Sequence, residues 1–264
     1  METITKDNLR SQLIELKKNI DAEKSTDNFR AYIKMMSTFH DYSFTNMLLI
    51  TRQKPEATRV AGYVAWKRLG RVVKKGEKGI IILAPNFKKT TNDAGEEETK
   101  KYFRYAYVWD VSQTEGDPLP EYSVATSEQE NKYLTNLETI VRDTFGIVLE
   151  YEAGLNSFGV SSIGKIRVCA GMSPAESFRT LVHELAHEIL HTRTNRATLD
   201  PAFKETEAET VTFIVCDALK MNTDSSVKYL ALWSKTDDIV SHLERVRQCS
   251  ATILKALQEP AVTA

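Results

Sequence analysis

The feature that most constrains this chain is the run His-Glu-Leu-Ala-His at positions 183 to 187. An α-helix turns once in about 3.6 residues, so side chains four positions apart lie on one face. Apolar residues at helical spacing surround the run, and we expect His183 and His187 to reach one metal ion from adjacent turns. A catalytic Zn2+ binds imidazole nitrogen and keeps one position open to water. Glu184 is then placed to accept a proton from that water.

The residues before this run predict where its helix begins. Ser173 precedes Pro174, and Glu176 follows Ser173 by three positions, which is typical of an N-cap, a first-turn proline and a capping box. Upstream, residues 165–169 predict a short strand whose edge could receive an extended peptide. The alternative is an ordinary amphipathic helix with two buried histidines, but a glutamate between them would then be costly.

A third metal ligand is expected from residues 205–216, which predict a second helix that begins with three carboxylates. Glu205 and Glu209 share a face one turn apart, so Glu205 could bind the ion while Glu209 orients a ligating histidine. Glu207 points elsewhere and is the reserve candidate if the register differs. His191 lies about 12 Å along the helix from the first histidine, too far to bind the same ion, and is assigned a supporting or structural role. A solvated run of charges is the simpler alternative for the carboxylates.

Together these residues resemble the gluzincin pattern of ImmA/IrrE-like and ArdC-type metallopeptidases. The resemblance implies a zincin-like domain with Zn2+ as its cofactor, His183, His187 and Glu205 as metal ligands and Glu184 as the catalytic base. Glu209 takes a position that is usually Asn in ImmA/IrrE-like sequences. The residue that stabilises the developing oxyanion is left open among three candidates: Tyr229, Arg193 and His242.

A second feature is the concentration of positive charge between residues 51 and 90. This segment has eleven basic and two acidic side chains, a net charge of +9, in a chain whose formal net charge is −1. Such an excess indicates a polyanionic partner, and interleaved aromatic rings can stack on unpaired bases. The alternative is a solvated basic face over core aromatics. We predict single-stranded DNA as the partner, bound by Tyr42, Lys54, Tyr63, Trp66, Lys67, Arg68, Arg71, Lys74, Lys75 and Lys78.

The motifs of this half of the chain are long and ordered. They include Phe-His-Asp-Tyr-Ser-Phe-Thr-Asn at 39–46, Val-Ala-Gly-Tyr at 60–63 and Lys-Lys-Gly-Glu-Lys-Gly at 74–79, where the last predicts the basic tip of a hairpin between 71–73 and 80–83. They resemble the N-terminal domain of ArdC-type antirestriction proteins, which are carried by plasmids and other mobile genetic elements. This resemblance implies a single-stranded-DNA-binding domain followed by a metallopeptidase domain.

We therefore predict an α+β protein in two parts. A mixed helix/strand DNA-binding domain would occupy residues 1–115, a linker 116–127, and a zincin-like (gluzincin) metallopeptidase domain 128–264. Residues 90–100 are polar and predict a flexible loop. No run approaches the 18 apolar residues of a membrane span and the N-terminus has no apolar stretch, so we expect a cytoplasmic protein without a membrane partner.

Three hypotheses of function remain open at this point. The first is an antirestriction protein that binds single-stranded DNA and uses a zinc peptidase site against a host protein. The second is a protein that coats single-stranded DNA and has a non-catalytic zinc site. The third is a regulatory peptidase, similar to ImmA, that cleaves a repressor and has little need of the basic segment.

Overall fold

The computed structural model describes residues 4–22, 26–91, 97–119, 124–192, 199–222 and 239–258. These residues form a mixed α+β structure, which confirms the α+β part of the predicted fold class. The chain divides into two compact units, Met1–Asn19 with Tyr42–Pro120 and Ile20–Asp41 with Glu121–Ala264. After α1 (Leu9–Ala22), which begins in the first unit, the chain continues into α2 (Thr26–Thr38) of the second unit. The predicted boundary placed residues 26–38 in the N-terminal domain, whereas α2 belongs to the second unit.

The first unit continues with α3 (Phe44–Gln53), β1 (Val60–Ala61), α4 (Tyr63–Arg68), β2 (Arg71–Val73), β3 (Ile80–Thr91), β4 (Glu97–Asp110) and β5 (Thr114–Gly116). One antiparallel sheet has the order β1-β4-β3, and β2 pairs separately with β5. The predicted hairpin between 71–73 and 80–83 is therefore wrong. The long hairpin is β3–β4, and its strands extend into the segment that was expected to be a loop.

Helix α3 lies along the outer edge of β3 and satisfies its backbone. The Asn46 amide donates to the Leu83 carbonyl (2.8 Å) and accepts from the Leu83 N–H (2.9 Å). About two turns further along α3, the Gln53 amide makes the same pair of hydrogen bonds with Ile81 (2.9 and 3.0 Å). Two side-chain amides thus cover an edge that would otherwise present unpaired backbone groups. Leu49, from the same helix, packs with Ile81 in the core.

The second unit contains α2, α5 (Ser127–Thr139), β6 (Val148–Glu152), β7 (Gly159–Ser161), β8 (Lys165–Cys169), α6 (Pro174–Leu190), α7 (Pro201–Ala218) and α8 (Ile239–Gln258). Its sheet has the order β6-β8-β7, parallel between β6 and β8 and antiparallel between β8 and β7. The expected edge strand at 165–169 is therefore central, and β6 and β7 form the two edges. Helix α2 is joined to α7 by an ion pair between Lys34 Nζ and Asp217 Oδ1 (2.8 Å).

Helix α6 begins where the sequence predicts. The Ser173 hydroxyl accepts from the Glu176 N–H (3.3 Å), and the Glu176 carboxylate accepts from the Ser173 N–H (3.0 Å), so both halves of the capping box are present. Pro174 occupies the first turn, where its missing N–H has no partner to lose. Among the helices of the described ranges, none has the length and apolar character that crossing a membrane requires.

Candidate metal centre

Three side chains from α6 and α7 bring their ligand atoms to one point. The Nε2 atoms of His183 and His187 are 3.1 Å apart. Glu205 Oε2 lies 3.2 Å from His183 Nε2, and Glu205 Oε1 lies 3.3 Å from His187 Nε2. The spacing of one helical turn on α6 places the imidazoles together, and the first turns of α7 supply the carboxylate. The structure thus brings together the three residues that were predicted as ligands.

The chemistry of this donor set and the separation of its two imidazole nitrogens suit a metal ion. Zn2+ bonds of 2.0 to 2.1 Å in tetrahedral geometry separate neighbouring ligand atoms by about 3.3 to 3.4 Å. The two imidazole nitrogens are 3.1 Å apart, near that value, and each lies 3.2 or 3.3 Å from a different oxygen of Glu205. With one ligand atom taken from each residue, the three atoms lie within 4.8 Å of one another. Two imidazoles and one carboxylate together are a donor set that could hold a metal ion.

The charges of the cluster also favour a cation. Burial lowers the pKa of His183, but hydrogen bonds with Glu205 and Glu209 outweigh it and raise the pKa to about 9. Burial lowers the pKa of His187. The same hydrogen bonds with His183 and His187 hold the pKa of Glu205 well below its ordinary range. A metal must displace the His183 proton, so metal binding is expected to weaken as the solution becomes acidic.

Glu209 supports the first histidine from the side away from the ligand cluster. Its Oε2 lies 3.4 Å from His183 Nδ1, whereas His183 Nε2 faces His187 and Glu205. A carboxylate on the second ring nitrogen fixes the orientation of a ligating imidazole and increases its basicity. Glu209 therefore lies within reach of the ring nitrogen that the predicted orienting role requires, and that role stays a prediction.

A buried chain of side chains supports the second histidine. His187 Nδ1 lies 3.0 Å from His191 Nδ1, and His191 Nε2 lies 2.9 Å from Glu207 Oε2. His191 and Glu207 have no solvent exposure. Burial raises the pKa of Glu207, but hydrogen bonds with His191 and His242 outweigh it and lower the pKa below its ordinary value. The reserve assignment of Glu207 as a metal ligand is wrong, because its carboxylate is occupied by this chain.

The hydrogen bonds from His187 through His191 to Glu207 determine which nitrogen of each ring carries a hydrogen. If His187 binds an ion through Nε2, its Nδ1–H donates to His191 Nδ1, and His191 Nε2–H then donates to Glu207. On the other oxygen, Glu207 Oε1 lies 3.0 Å from His242 Nδ1 and 3.4 Å from an Arg245 nitrogen. His242 is thus positioned against Glu207, while the other two candidates for oxyanion stabilisation, Arg193 and Tyr229, lie outside the described residues.

Replacing Glu207 by Gln should weaken metal binding about 10- to 100-fold, because loss of such an outer partner leaves the His187 ring less firmly oriented. The measurement is competition of the full-length protein against a metal-indicator dye, with circular dichroism to verify the fold. Glu188→Gln, on the same helix, is the matched control, since the Glu188 carboxylate accepts from the Gly164 N–H instead. Equal metal affinities for the Glu207 variant and the parent protein would contradict a role of the His191–Glu207 hydrogen bond in metal binding.

Glu184, the predicted proton acceptor, lies where α6 passes the edge strand β7. It is 8% exposed. A Cβ atom added to Gly159 would lie 2.9 Å from Glu184 Oε1 and 2.8 Å from its Cγ, so the Glu184 side chain runs directly against the β7 backbone.

The structure does not support every residue that was predicted to bind DNA. Trp66 is 2% exposed and its indole N–H donates to the Trp109 carbonyl (2.9 Å), so its assignment to base stacking is wrong. Arg71 donates to Thr114 and to the Gly116 and Asp117 carbonyls, which uses its guanidinium to hold β5 and the chain after it. These two residues are structural.

The other predicted residues are nearer to the surface of the first unit. Tyr42 is half-buried and its hydroxyl donates to the Val60 carbonyl, and Lys54 forms an ion pair with Glu56 (2.6 Å). The remaining residues are exposed: Tyr63, Lys67, Arg68, Lys74, Lys75 and Lys78. The sequence prediction missed a row of aromatic residues on β4. The signal was present, because Phe103, Tyr105, Tyr107 and Trp109 alternate along the strand.

The fold and the site define a two-unit α+β protein with a candidate metal centre between two helices of its second unit. Residues 2–109 match the family model of the N-terminal domain of anti-restriction factor ArdC. The uncharacterized protein pXO2-81 of Bacillus anthracis is 26% identical over 89% of this chain and 48% of its own length. The chain therefore spans about half the length of that curated relative.

Two solved structures are also similar to the chain. The metal-free crystal structure of antirestriction protein ArdC from plasmid R388 has a TM-score of 0.46 and 19% sequence identity, and covers 81% of this chain and 84% of that one. The Mn(II)-bound crystal structure of the same protein has a TM-score of 0.44 and 18% identity, with 83% and 84% coverage.

Proposed function

We propose that the second unit is a zincin-type, Zn2+-dependent peptidase. The observation that supports this most directly is the cluster of two imidazoles and one carboxylate. The two Nε2 atoms are 3.1 Å apart and lie 3.2 and 3.3 Å from the two oxygens of Glu205, and Glu184 is on the helix that carries both histidines. In this proposal His183, His187 and Glu205 hold the ion, and Glu209 and His191 orient the two imidazoles. No other feature of the described residues combines metal ligands with a carboxylate in this way.

Each residue then has a defined task in peptide hydrolysis. When bound, the ion supplies Lewis acidity toward a water molecule and the scissile carbonyl. Glu184 accepts a proton from the attacking water and returns it to the departing amine. The outer edge of β7 aligns the substrate by backbone hydrogen bonds, in the manner of a peptide that adds a strand to a sheet. The low exposure of Glu184 keeps its carboxylate away from bulk water.

For the first unit we propose binding of single-stranded DNA, which with the peptidase would make the protein an antirestriction factor of a mobile genetic element. The match of residues 2–109 to the ArdC N-terminal domain supports this proposal. So do the +9 charge of residues 51–90 and the exposed cations of α4 and of the turn before β3. Basic groups neutralise phosphates without regard to base sequence, and this binding weakens as salt increases.

Removal of metal tests the peptidase proposal. Dialysis of the full-length protein against a chelator should abolish cleavage of denatured casein, and added Zn2+ should restore it, because the three ligands hold the ion reversibly. Digestion is followed on gels with and without an oligo-dT single strand, in case DNA is needed for activity. One bound ion per chain with intact casein under all these conditions would instead support the non-catalytic zinc site. An oligo-dT affinity that falls steeply with salt would count against the repressor-cleaving alternative.

A further inference from the structure

A row of aromatic side chains runs along one face of β4. Phe103, Tyr105, Tyr107 and Trp109 are two residues apart, so their side chains leave the same face of the strand. We name these four residues the aromatic ladder. Phe103 is 60% exposed, Tyr105 43% and Tyr107 42%. Aromatic side chains of this size usually dominate cores, so an exposed row of them indicates a surface that meets a partner.

The end of the aromatic ladder at Tyr107 and Trp109 is held in place by neighbouring side chains. The rings of Tyr107 and Trp109 are 6.5 Å apart, and the edge of Tyr63, from α4, approaches Trp109 at 6.2 Å. An added Cβ at Gly79 would come within about 3.0 Å of both Tyr107 and Trp109. Glycine at this position therefore lets both side chains lie close to the backbone just before β3. The Tyr105 hydroxyl donates to the Lys6 carbonyl (3.1 Å). These contacts fix the rings before any ligand arrives.

Cationic side chains lie over the rings. Lys101 Nζ is 5.5 Å from the centre of the Phe103 ring, Lys6 Nζ is 5.7 Å from that of Tyr107, and Lys67 Nζ is 5.2 Å from that of Tyr63. Each ammonium group is attracted by the face of its ring. Flat apolar faces and positive charges therefore alternate along one surface, which complements a polymer of flat bases and negative phosphates.

The spacing of the ladder selects unpaired bases. Successive rungs are about 6.8 Å apart along the strand, twice the rise per residue. Bases stacked within one strand of a duplex are only 3.4 Å apart and have no free faces along the helix. A stretched single strand separates its bases and exposes both faces of each, so a base can stack on a rung while its phosphate reaches a neighbouring lysine.

We propose that the aromatic ladder is the base-stacking surface of the first unit and binds extended single-stranded DNA, with Lys101, Lys6 and Lys67 at the phosphates. This inference rests on the proposed DNA binding of the first unit and assigns it to a sheet face that lies outside the basic turn at residues 74–78. Stacking on this face would be tolerant of base sequence, because every base presents an aromatic face.

The test measures fluorescence anisotropy of a labelled oligo-dT strand with full-length variants. Phe103→Ala and Tyr107→Ala should each weaken binding about tenfold, and the double variant about a hundredfold, with little change in salt dependence. Lys101→Ala should instead reduce the slope of log affinity against log salt by about 1. Phe103→Trp should retain the parent affinity, because a larger ring still stacks.

Tyr102→Ala is the matched control. Tyr102 is 45% exposed and stands on the same strand, but its side chain leaves the opposite face and meets Asn86. Thermal melting verifies that each variant is folded. If the double variant binds oligo-dT as the parent does, or Tyr102→Ala is equally impaired, the ladder is not the stacking surface, although the unit still binds DNA. If the parent protein fails to bind oligo-dT, the proposed DNA-binding function itself is wrong.

Discussion

Replacing Glu184 by Gln should reduce casein cleavage about 10³-fold and leave the bound metal in place. General acid–base catalysis by a positioned side chain contributes roughly 10²- to 10⁴-fold, and an amide of the same shape neither accepts nor returns the proton. Glu184 is not one of the three residues whose ligand atoms converge, so the metal site should survive. The measurement is the initial rate of cleavage of a fluorescent casein, with metal content determined on the same samples.

Glu188→Gln is the control for this substitution. It removes one carboxylate from the same helix, four residues further along, where the side chain accepts from the Gly164 N–H. We expect near-parental rates from it. A Glu184→Gln protein that cleaves casein at the parental rate would remove Glu184 from the reaction, and a variant without metal would mean that Glu184 supports the ion rather than the proton transfer.

The second large effect is expected from Gly159, a residue with no functional group. An added Cβ would lie 2.6 Å from Thr180 Cγ2 and 2.8 Å from Glu184 Cγ, both closer than packed atoms approach. The Glu184 side chain would therefore have to move away from β7. A displacement of about 1 Å near the reacting atoms can cost 10²-fold in rate, so we expect a loss of that order in Gly159→Ala with metal content unchanged.

Gly62→Ala is a suitable comparison, because a Cβ there would meet nothing within 4 Å. The two variants carry the same chemical change, and thermal melting and metal analysis distinguish loss of position from loss of fold. Full activity of Gly159→Ala would show that the carboxylate has room to adjust, and would weaken the inference that the β7 backbone sets its position.

The metal cluster was predictable because its information is local. His183 and His187 are one turn apart, the capping box from Ser173 fixes the start of α6, and Glu205 stands near the start of the next helix. The partners of Glu207 were not predictable in the same way. Its hydrogen bonds join α7 to the C-cap residue of α6 and to α8, and only tertiary packing brings His191 and His242 to the same carboxylate.

In the first unit, even more of the structure depends on contacts between residues far apart in the sequence. The basic excess is visible in composition, but exposure depends on pairing between distant strands. The apolar segment at 71–73 pairs with 114–116, more than forty residues later, rather than with the nearer segment at 80–83. Trp66 is of a residue type that can stack on bases, yet it is buried and its indole N–H donates to the Trp109 carbonyl. The alternation of Phe103, Tyr105 and Tyr107 was a local signal, and it could have been used.

The side-chain amides of α3 have a consequence for self-association. A long hairpin rich in aromatic residues is normally at risk of aggregation, because a second molecule can pair its own strand with the exposed edge strand. Asn46 and Gln53 already occupy the N–H and C=O groups of Leu83 and Ile81 there, so a neighbouring copy finds no hydrogen-bonding partners at those positions. The protein can thus expose the aromatic ladder on a sheet face while the edge of β3 at Ile81 and Leu83 stays protected against strand pairing with another molecule.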